Sequence, residues 1–315
     1  MNYKLTNKKV WIAGHNGMVG SAVLRRLSHE DCEIITIPKN KLDLRNGESV
    51  LRWMKKNKPE IVIVAAAKVG GIHANSHYPA DFLYDNLMIE ANIIHNAWVS
   101  GVNKLLFLGS SCIYPRNTSQ PIIEKRLLTG ELEPTNEWYA VAKIAGIKLC
   151  QSYRQQYDVD FISAMPSNLY GPGDNFHPEN SHVPAALLLR IHNAKINNEK
   201  ETIVWGTGSP KREFLHVDDL ADALIYVLKN YSDSSHINIG MGEEISIKEF
   251  AYKIKECVGY NGELIFDKTK PDGVQRKVLD VSRLTNLGWS PKFTLDHGLK
   301  KYYEWFKDNI STIRQ

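Results

Sequence analysis

The sequence predicts an α/β fold: a doubly wound parallel sheet followed by a smaller, mixed α/β C-terminal lobe. Three observations carry that expectation. Short apolar runs alternate with helix-like segments over the first 170 or so residues, as in parallel strands joined by crossover helices. The run at 61–67 is apolar without interruption, as strands covered on both faces are. A glycine-rich turn, Gly14-His15-Asn16-Gly17-Met18-Val19-Gly20, stands between the first apolar run and the first helical one.

At 315 residues the chain is too long for one small core, and its 43% hydrophobic and 23% charged content is that of a globular protein. A formal charge of +4 with scattered lysines and arginines argues against a nucleic-acid surface. Cys32, Cys112, Cys150 and Cys257 have no CxxC spacing, which points to neither a zinc site nor a disulfide framework. The N-terminus lacks the apolar centre of a signal peptide, and no run of about 18 apolar residues offers a membrane span. A soluble, reduced, cytoplasmic protein is expected.

Taken in order, 10–13 is the first strand and 21–27 the first helix. The glycines between them permit a tight turn, let backbone approach a pyrophosphate, and aim a helix N-terminus at its charge. Gly14, Asn16, Gly17, Met18, Val19 and Gly20 are therefore candidate dinucleotide contacts. The second strand, 33–37, ends at Pro38-Lys39-Asn40-Lys41. An acid here would hold the ribose 2′-hydroxyl of NAD; Lys39 and Lys41 stand there instead, beside Asn40, and favour the 2′-phosphate of NADP. Asp43 is placed to accept from the adenine amino group.

The third strand is 61–67, and the helix at 86–94 has an apolar face suited to core or to a dimer contact. The fourth strand, 104–108, ends in Gly109-Ser110-Ser111-Cys112, where an open parallel sheet carries its ligands. Tyr139 and Lys143, four apart on the next helix, share one face. An ammonium near a phenol favours the phenolate and suits the pair to proton transfer at a carbonyl or alcohol oxygen. The fifth strand is 161–165, leading into Pro166-Ser167-Asn168-Leu169-Tyr170-Gly171-Pro172. Residues 214–220 are expected to open a helix, N-capped by an aspartate, that returns to the main sheet. The expected division is 1–170, with a returning segment at about 213–240, and 171–315 as the substrate domain.

Together these residues resemble the extended short-chain dehydrogenase/reductase family that works on nucleotide sugars. The likeness rests on the glycine turn, Ala65-Ala66-Ala67-Lys68-Val69-Gly70-Gly71-Ile72, Leu106-Phe107-Leu108-Gly109-Ser110-Ser111-Cys112-Ile113-Tyr114-Pro115 and Pro134-Thr135-Asn136-Glu137. It continues through Asp174-Asn175-Phe176-His177-Pro178, Arg212-Glu213-Phe214-Leu215-His216-Val217-Asp218-Asp219 and Lys270-Pro271-Asp272-Gly273. The resemblance implies a Rossmann fold, NADPH as cofactor and a GDP-4-keto-6-deoxy sugar as substrate, epimerised at C3 and C5 and reduced at C4. It makes Tyr139 the acid for the 4-keto oxygen, with Lys143 on the nicotinamide ribose and Ser110 on the sugar oxygen. Cys112 and His182 take the positions of epimerase base and acid. It lays Leu108, Gly109, Ser111, Pro166, Asn168 and Leu169 along the cofactor, and Arg190, Trp205, Arg212, Asp272 and Lys277 along the substrate.

It also implies a homodimer packed through the helices at 86–94 and 139–149. The chain departs from the family pattern at Asn16 and Lys39, where arginines are usual, at Trp138 beside the tyrosine, and at Pro184 and Ala185 after His182. A C4 reductase without epimerisation, acting on a related GDP-4-keto hexose or heptose, is the alternative.

Overall fold

The computed structural model describes residues 3–178, 180–270 and 272–313. Pro271, within the Lys-Pro-Asp-Gly run, lies outside the described residues, as do Met1, Asn2, Glu179, Arg314 and Gln315. In chain order the first half comprises β1 (Lys8–Ala13), α1 (Met18–Leu27), β2 (Cys32–Ile35), α2 (Gly47–Asn57), β3 (Ile61–Val64), α3 (Ile72–His77), α4 (Pro79–Val99), β4 (Lys104–Leu108), α5 (Glu137–Tyr157) and β5 (Asp160–Pro166). There follow β6 (Asn168–Tyr170), α6 (Val183–Ile196), β7 (Glu201–Trp205), β8 (Lys211–Arg212), β9 (Phe214–His216), α7 (Val217–Asn230) and β10 (Ile237–Ile239). The chain closes with β11 (Ile245–Ser246), α8 (Ile247–Val258), β12 (Glu263–Asp267), β13 (Arg276–Lys277), α9 (Ser282–Asn286) and α10 (Leu295–Asn309).

The main sheet has six parallel strands in the order β2-β1-β3-β4-β5-β10. Alternation along each strand divides its side chains between two cores. Val10, Ile12, Ile61, Ile63, Leu106 and Ile162 face α1 and α7. Trp11, Val62, Val64, Leu105, Phe107 and Phe161 face α2, α4 and α5. The register pairs Ala13 with Val64 and Val64 with Phe107, so the turns after β1, β3 and β4 emerge along one rim. The strand order reverses between β1 and β3, which opens a crevice at that rim.

A third core gathers Phe176, Leu188, Ile191, Phe250, Ile254, Tyr302 and Phe306 from α6, α8, α10 and the loop before α6. The chain after residue 171 is not confined to it. α7 and β10 rejoin the main sheet, and Leu284 and Trp289, around α9, pack into the α1–α7 core.

Four local expectations are corrected. β2 stops at Ile35 and β3 at Val64, so Thr36, Ile37 and Ala65 to Ala67 belong to loops. Residues 214–216 are strand β9, paired to β6, because all three are buried beside that strand. The cap of α7 is His216, whose side chain accepts from the Asp218 N–H; no aspartate caps it.

Candidate active site

The glycine turn is built by close approach. A Cβ on Gly14, at φ +91°, would lie 2.6 Å from the Ala66 backbone, and one on Gly20 would lie 2.1 Å from the Gly14 carbonyl oxygen. Glycine is thus required where β1 and β3 part and where α1 seats on the turn. Gly17 caps α1, Met18 and Val19 begin it, and its first turn holds no acidic residue to compete for an incoming anion. His15 Nδ1 is buried there without a hydrogen-bond partner. A backbone cradle too tight for a side chain, a helix N-terminus and an orphaned nitrogen fit a dinucleotide pyrophosphate.

Past β2, Lys39, Asn40 and Lys41 are exposed at the rim. Asp43 is not free for an adenine alone. Arg45 donates to both its oxygens, at 3.0 and 2.8 Å, and holds its carboxyl down to about 2. Arg45 also reaches Asp85 at 3.0 Å. Leu108 and Pro166 are buried at the strand ends, and Gly109 lies against Met165, where a Cβ would come within 2.3 Å of the sulfur. Leu169 packs on the α1–α7 core, while the Asn168 amide donates to the Glu213 carbonyl at 2.9 Å.

The turn after β4 brings the reactive groups together. Ser110 caps the short 3₁₀ turn of Ser111, Cys112 and Ile113 through the Cys112 N–H, and it hydrogen-bonds the Tyr139 phenol. The expected lowering of that phenol is not found. Burial pushes it up, the negative charges of Cys112 and Glu90 add to the rise, and Ser110 opposes it. Lys143 does not offset this because its ammonium stands 2.8 Å from Glu90, the ring of Tyr139 being 5.9 Å away.

Cys112 lines a narrow cleft with Ser111, Gln120, Asn136 and Lys277. Its sulfur lies 3.4 Å from the Asn136 amide nitrogen and 3.7 Å from the Lys277 ammonium. Lys277, expected along the substrate, stands at the thiol. The charges of Cys112 and Arg212 also act on one another. His182 is the N-cap of α6, and desolvation first, and Lys277 second, hold its pKa below the ordinary imidazole value. Pro184 and Ala185, the departures after it, are buried in the first turn of α6.

On the far side, Arg190 donates to the Ile203 carbonyl at 2.8 Å, and its guanidinium stacks 5.0 Å from the Trp205 ring centre. Lys270 lies 5.2 Å from the same centre. Asp272 accepts from the Thr207 N–H at 2.8 Å and its hydroxyl at 2.7 Å, tying the loop after β12 to the loop after β7. Arg212 donates to the Lys211 carbonyl at 2.8 Å. Trp205, 45% exposed, is a surface platform and not core.

Sequence reasoning missed Asn136 and Glu90. Asn136, in the run before Tyr139, has a polar type that does not reveal its contact with the sulfur. Glu90 had a signal, since it is a lone acid within the apolar run Leu87-Met88-Ile89-Glu90-Ala91.

Residues 10–240 match the profile of the NAD dependent epimerase/dehydratase family. A GDP-L-fucose synthase of Sinorhizobium fredii is 56% identical over 98% of this chain and 98% of its own. The GDP-L-fucose synthase of Escherichia coli is 52% identical over 98% of this chain and 100% of its own. Among solved structures, a GDP-L-fucose synthetase from Naegleria fowleri bound to NADP superposes with a TM-score of 0.92, at 28% identity over 100% of this chain and 98% of that one. A GDP-6-OMe-4-keto-L-xylo-heptose reductase from C. jejuni superposes with a TM-score of 0.93, at 37% identity over 98% of this chain and 100% of that one.

Proposed function

The chain belongs to the NAD dependent epimerase/dehydratase family, and on that premise we propose that it converts GDP-4-keto-6-deoxy-D-mannose to GDP-L-fucose with NADPH. The observation that carries this reading is the pairing, on one turn after β4, of Ser110 on the Tyr139 phenol with a thiol two residues on that faces a lysine ammonium. A reductase alone needs the first half; the second half suits proton abstraction from carbon.

The 4-keto group acidifies the protons on C3 and C5. Cys112 removes one as the thiolate, which the Lys277 ammonium at 3.7 Å stabilises. His182 returns a proton to the opposite face and inverts the carbon. Its depressed pKa makes the imidazolium a strong acid that gives up its proton readily. Between the two inversions the thiol releases its proton to solvent and the imidazole regains one.

NADPH, when bound, supplies the hydride to C4. As the C4 oxygen becomes an alkoxide, Tyr139 protonates it, and Ser110 holds both oxygens in line. A phenol kept protonated by burial is already in the form this step needs. Gly14, Gly17 and the first turn of α1 would hold the pyrophosphate, and Lys39 and Lys41 the 2′-phosphate. Trp205, Arg190 and Arg212 suit the guanine and diphosphate of the GDP moiety.

The test is to supply GDP-4-keto-6-deoxymannose and NADPH in deuterated water and read the product by NMR. GDP-L-fucose with deuterium at C3 and C5 is expected. A reduced sugar without deuterium at either carbon would instead identify a C4 reductase, the activity named for the C. jejuni neighbour.

No helix among the described residues is long and apolar enough to cross a membrane, and a cytoplasmic enzyme is the reading we adopt. We also propose a homodimer through α4 and α5. α4 exposes Tyr84 and Val99 and α5 exposes Trp138, Val141 and Tyr157, and Trp98 stacks on Tyr157 at 4.2 Å. Light scattering after size exclusion is expected to give twice the 35.8 kDa chain mass; a single chain mass would refute the dimer.

A further inference from the structure

The lysine of the catalytic set has a partner that the mechanism above leaves unused. Glu90 lies mid-way along α4, 1% exposed, on the side that packs against α5. Its Oε1 stands 2.8 Å from the Lys143 ammonium, which is itself 2% exposed and lies 4.7 Å from the Phe107 ring centre. Gly146 makes room for the carboxylate: a Cβ there would come within 2.8 Å of Glu90 Oε2 and 2.4 Å of Phe107 Cζ. Two charges taken out of water together can both persist because each is the counter-ion of the other. If the cation leaves, a bare carboxylate remains in an apolar seam, and the cheapest remedy is a proton.

We propose that Glu90 is the resting partner of Lys143, a positioning carboxylate that gives up the ammonium to the nicotinamide ribose when NADPH binds and takes one proton from solvent in exchange. This rests on the reading of Lys143 as a cofactor contact. The exchange balances: one ion pair opens, one O–H bond forms on Glu90, and the proton comes from buffer. The carboxyl is suited to it. Burial already lifts it to about 7 with Lys143 opposing the lift, so loss of the ammonium carries it higher. The other titratable groups that bear on it, Tyr139 and Cys150 of α5, are both raised by burial and stay neutral, while β4 contributes the uncharged Phe107 ring.

The test is calorimetry of NADPH binding to the full-length protein in buffers of different ionisation enthalpy, which counts protons taken up. Uptake at this site should be about half a proton at pH 7 and approach one by pH 8, and affinity should weaken by up to about tenfold per pH unit above 7. The 2′-phosphate titrates nearby, at about 6, so the difference between wild type and variant is read. Glu90→Gln and Lys143→Met should each lose that uptake, the first having no acid and the second no cation to lose. Should Glu90→Gln not fold, Lys143→Met and NADH binding to wild type, which lacks the phosphate, read the same proton. Unchanged uptake in a folded variant, or NADH binding to wild type without uptake, overturns the proposal. Failure of wild type to bind NADPH at all overturns the cofactor reading instead.

Discussion

Burial raises the Tyr139 phenol, which keeps it protonated at rest and makes it a weak acid that yields its proton only to a strongly basic oxygen such as an alkoxide. Ser110 opposes the rise, and Lys143 is turned toward Glu90, so the phenol gives its proton up when an alkoxide forms beside it. Tyr139→Phe keeps the ring and its edge contact with Phe82 at 6.5 Å, but removes the proton. We expect kcat for reduction to fall by roughly 10²–10⁴, the usual worth of a general acid. Deuterium exchange at the carbons served by Cys112 should persist, because the thiol and Lys277 are untouched. Stopped-flow absorbance of NADPH beside NMR of the recovered sugar separates the two. Equal loss of both activities would refute the division of labour.

The glycine turn was the element most legible in the sequence. Its placement between an apolar run and a helical one implied a strand, a glycine turn and a helix start, and all three are present. Gly20→Ala tests why. Its Cβ would overlap the Gly14 carbonyl at 2.1 Å, so α1 must slide off the turn that aims its N-terminus. We expect NADPH affinity to drop at least about tenfold, read by fluorescence titration, with the sheet and far-UV spectrum retained. Unaltered affinity would mean the pyrophosphate lies elsewhere. Strand ends were less legible, since Thr36, Ile37 and Ala65 to Ala67 continue an apolar run after their pairing stops. β9 was misread because three buried residues carry no period that separates strand from helix. That Lys277 faces the Cys112 sulfur was not legible, because sequence reports a cation's identity but not its neighbour. Only the parallel pairing of β13 with β8, beside the turn after β4, brings it to the sulfur.

One buried carboxylate with no role in the sequence reading ties distant segments of the chain together. Glu213, fully buried, accepts from the Gly242 N–H at 2.8 Å and the Leu279 N–H at 2.9 Å, while its own carbonyl receives the Asn168 amide. It thereby ties β9 to the segments that return after β10 and before α9. A Cβ at position 240 would lie 1.9 Å from its carboxylate, so Gly240 is part of the same joint. Burial outweighs the donated N–H bonds and raises the carboxyl from 4.5 to about 7. The native state therefore binds a proton that the unfolded chain has released, and stability falls as pH climbs from about 4.5 to 7. A span of this size is worth about 3 kcal/mol. His216 and His236, both lowered to about 4 by burial, act oppositely and add stability as pH rises from about 4 to 6.5. The wild-type curve alone therefore mixes the two. Glu213→Gln removes the titration at nearly the same shape, at a pH-independent cost, because the amide NH2 cannot accept one of the two N–H bonds. Urea denaturation of both proteins should show the variant gaining up to about 3 kcal/mol on wild type between pH 5 and pH 8, on top of a constant offset. A difference that stays flat across that range would show that the carboxylate is charged throughout, stabilised by its N–H donors against the loss of water.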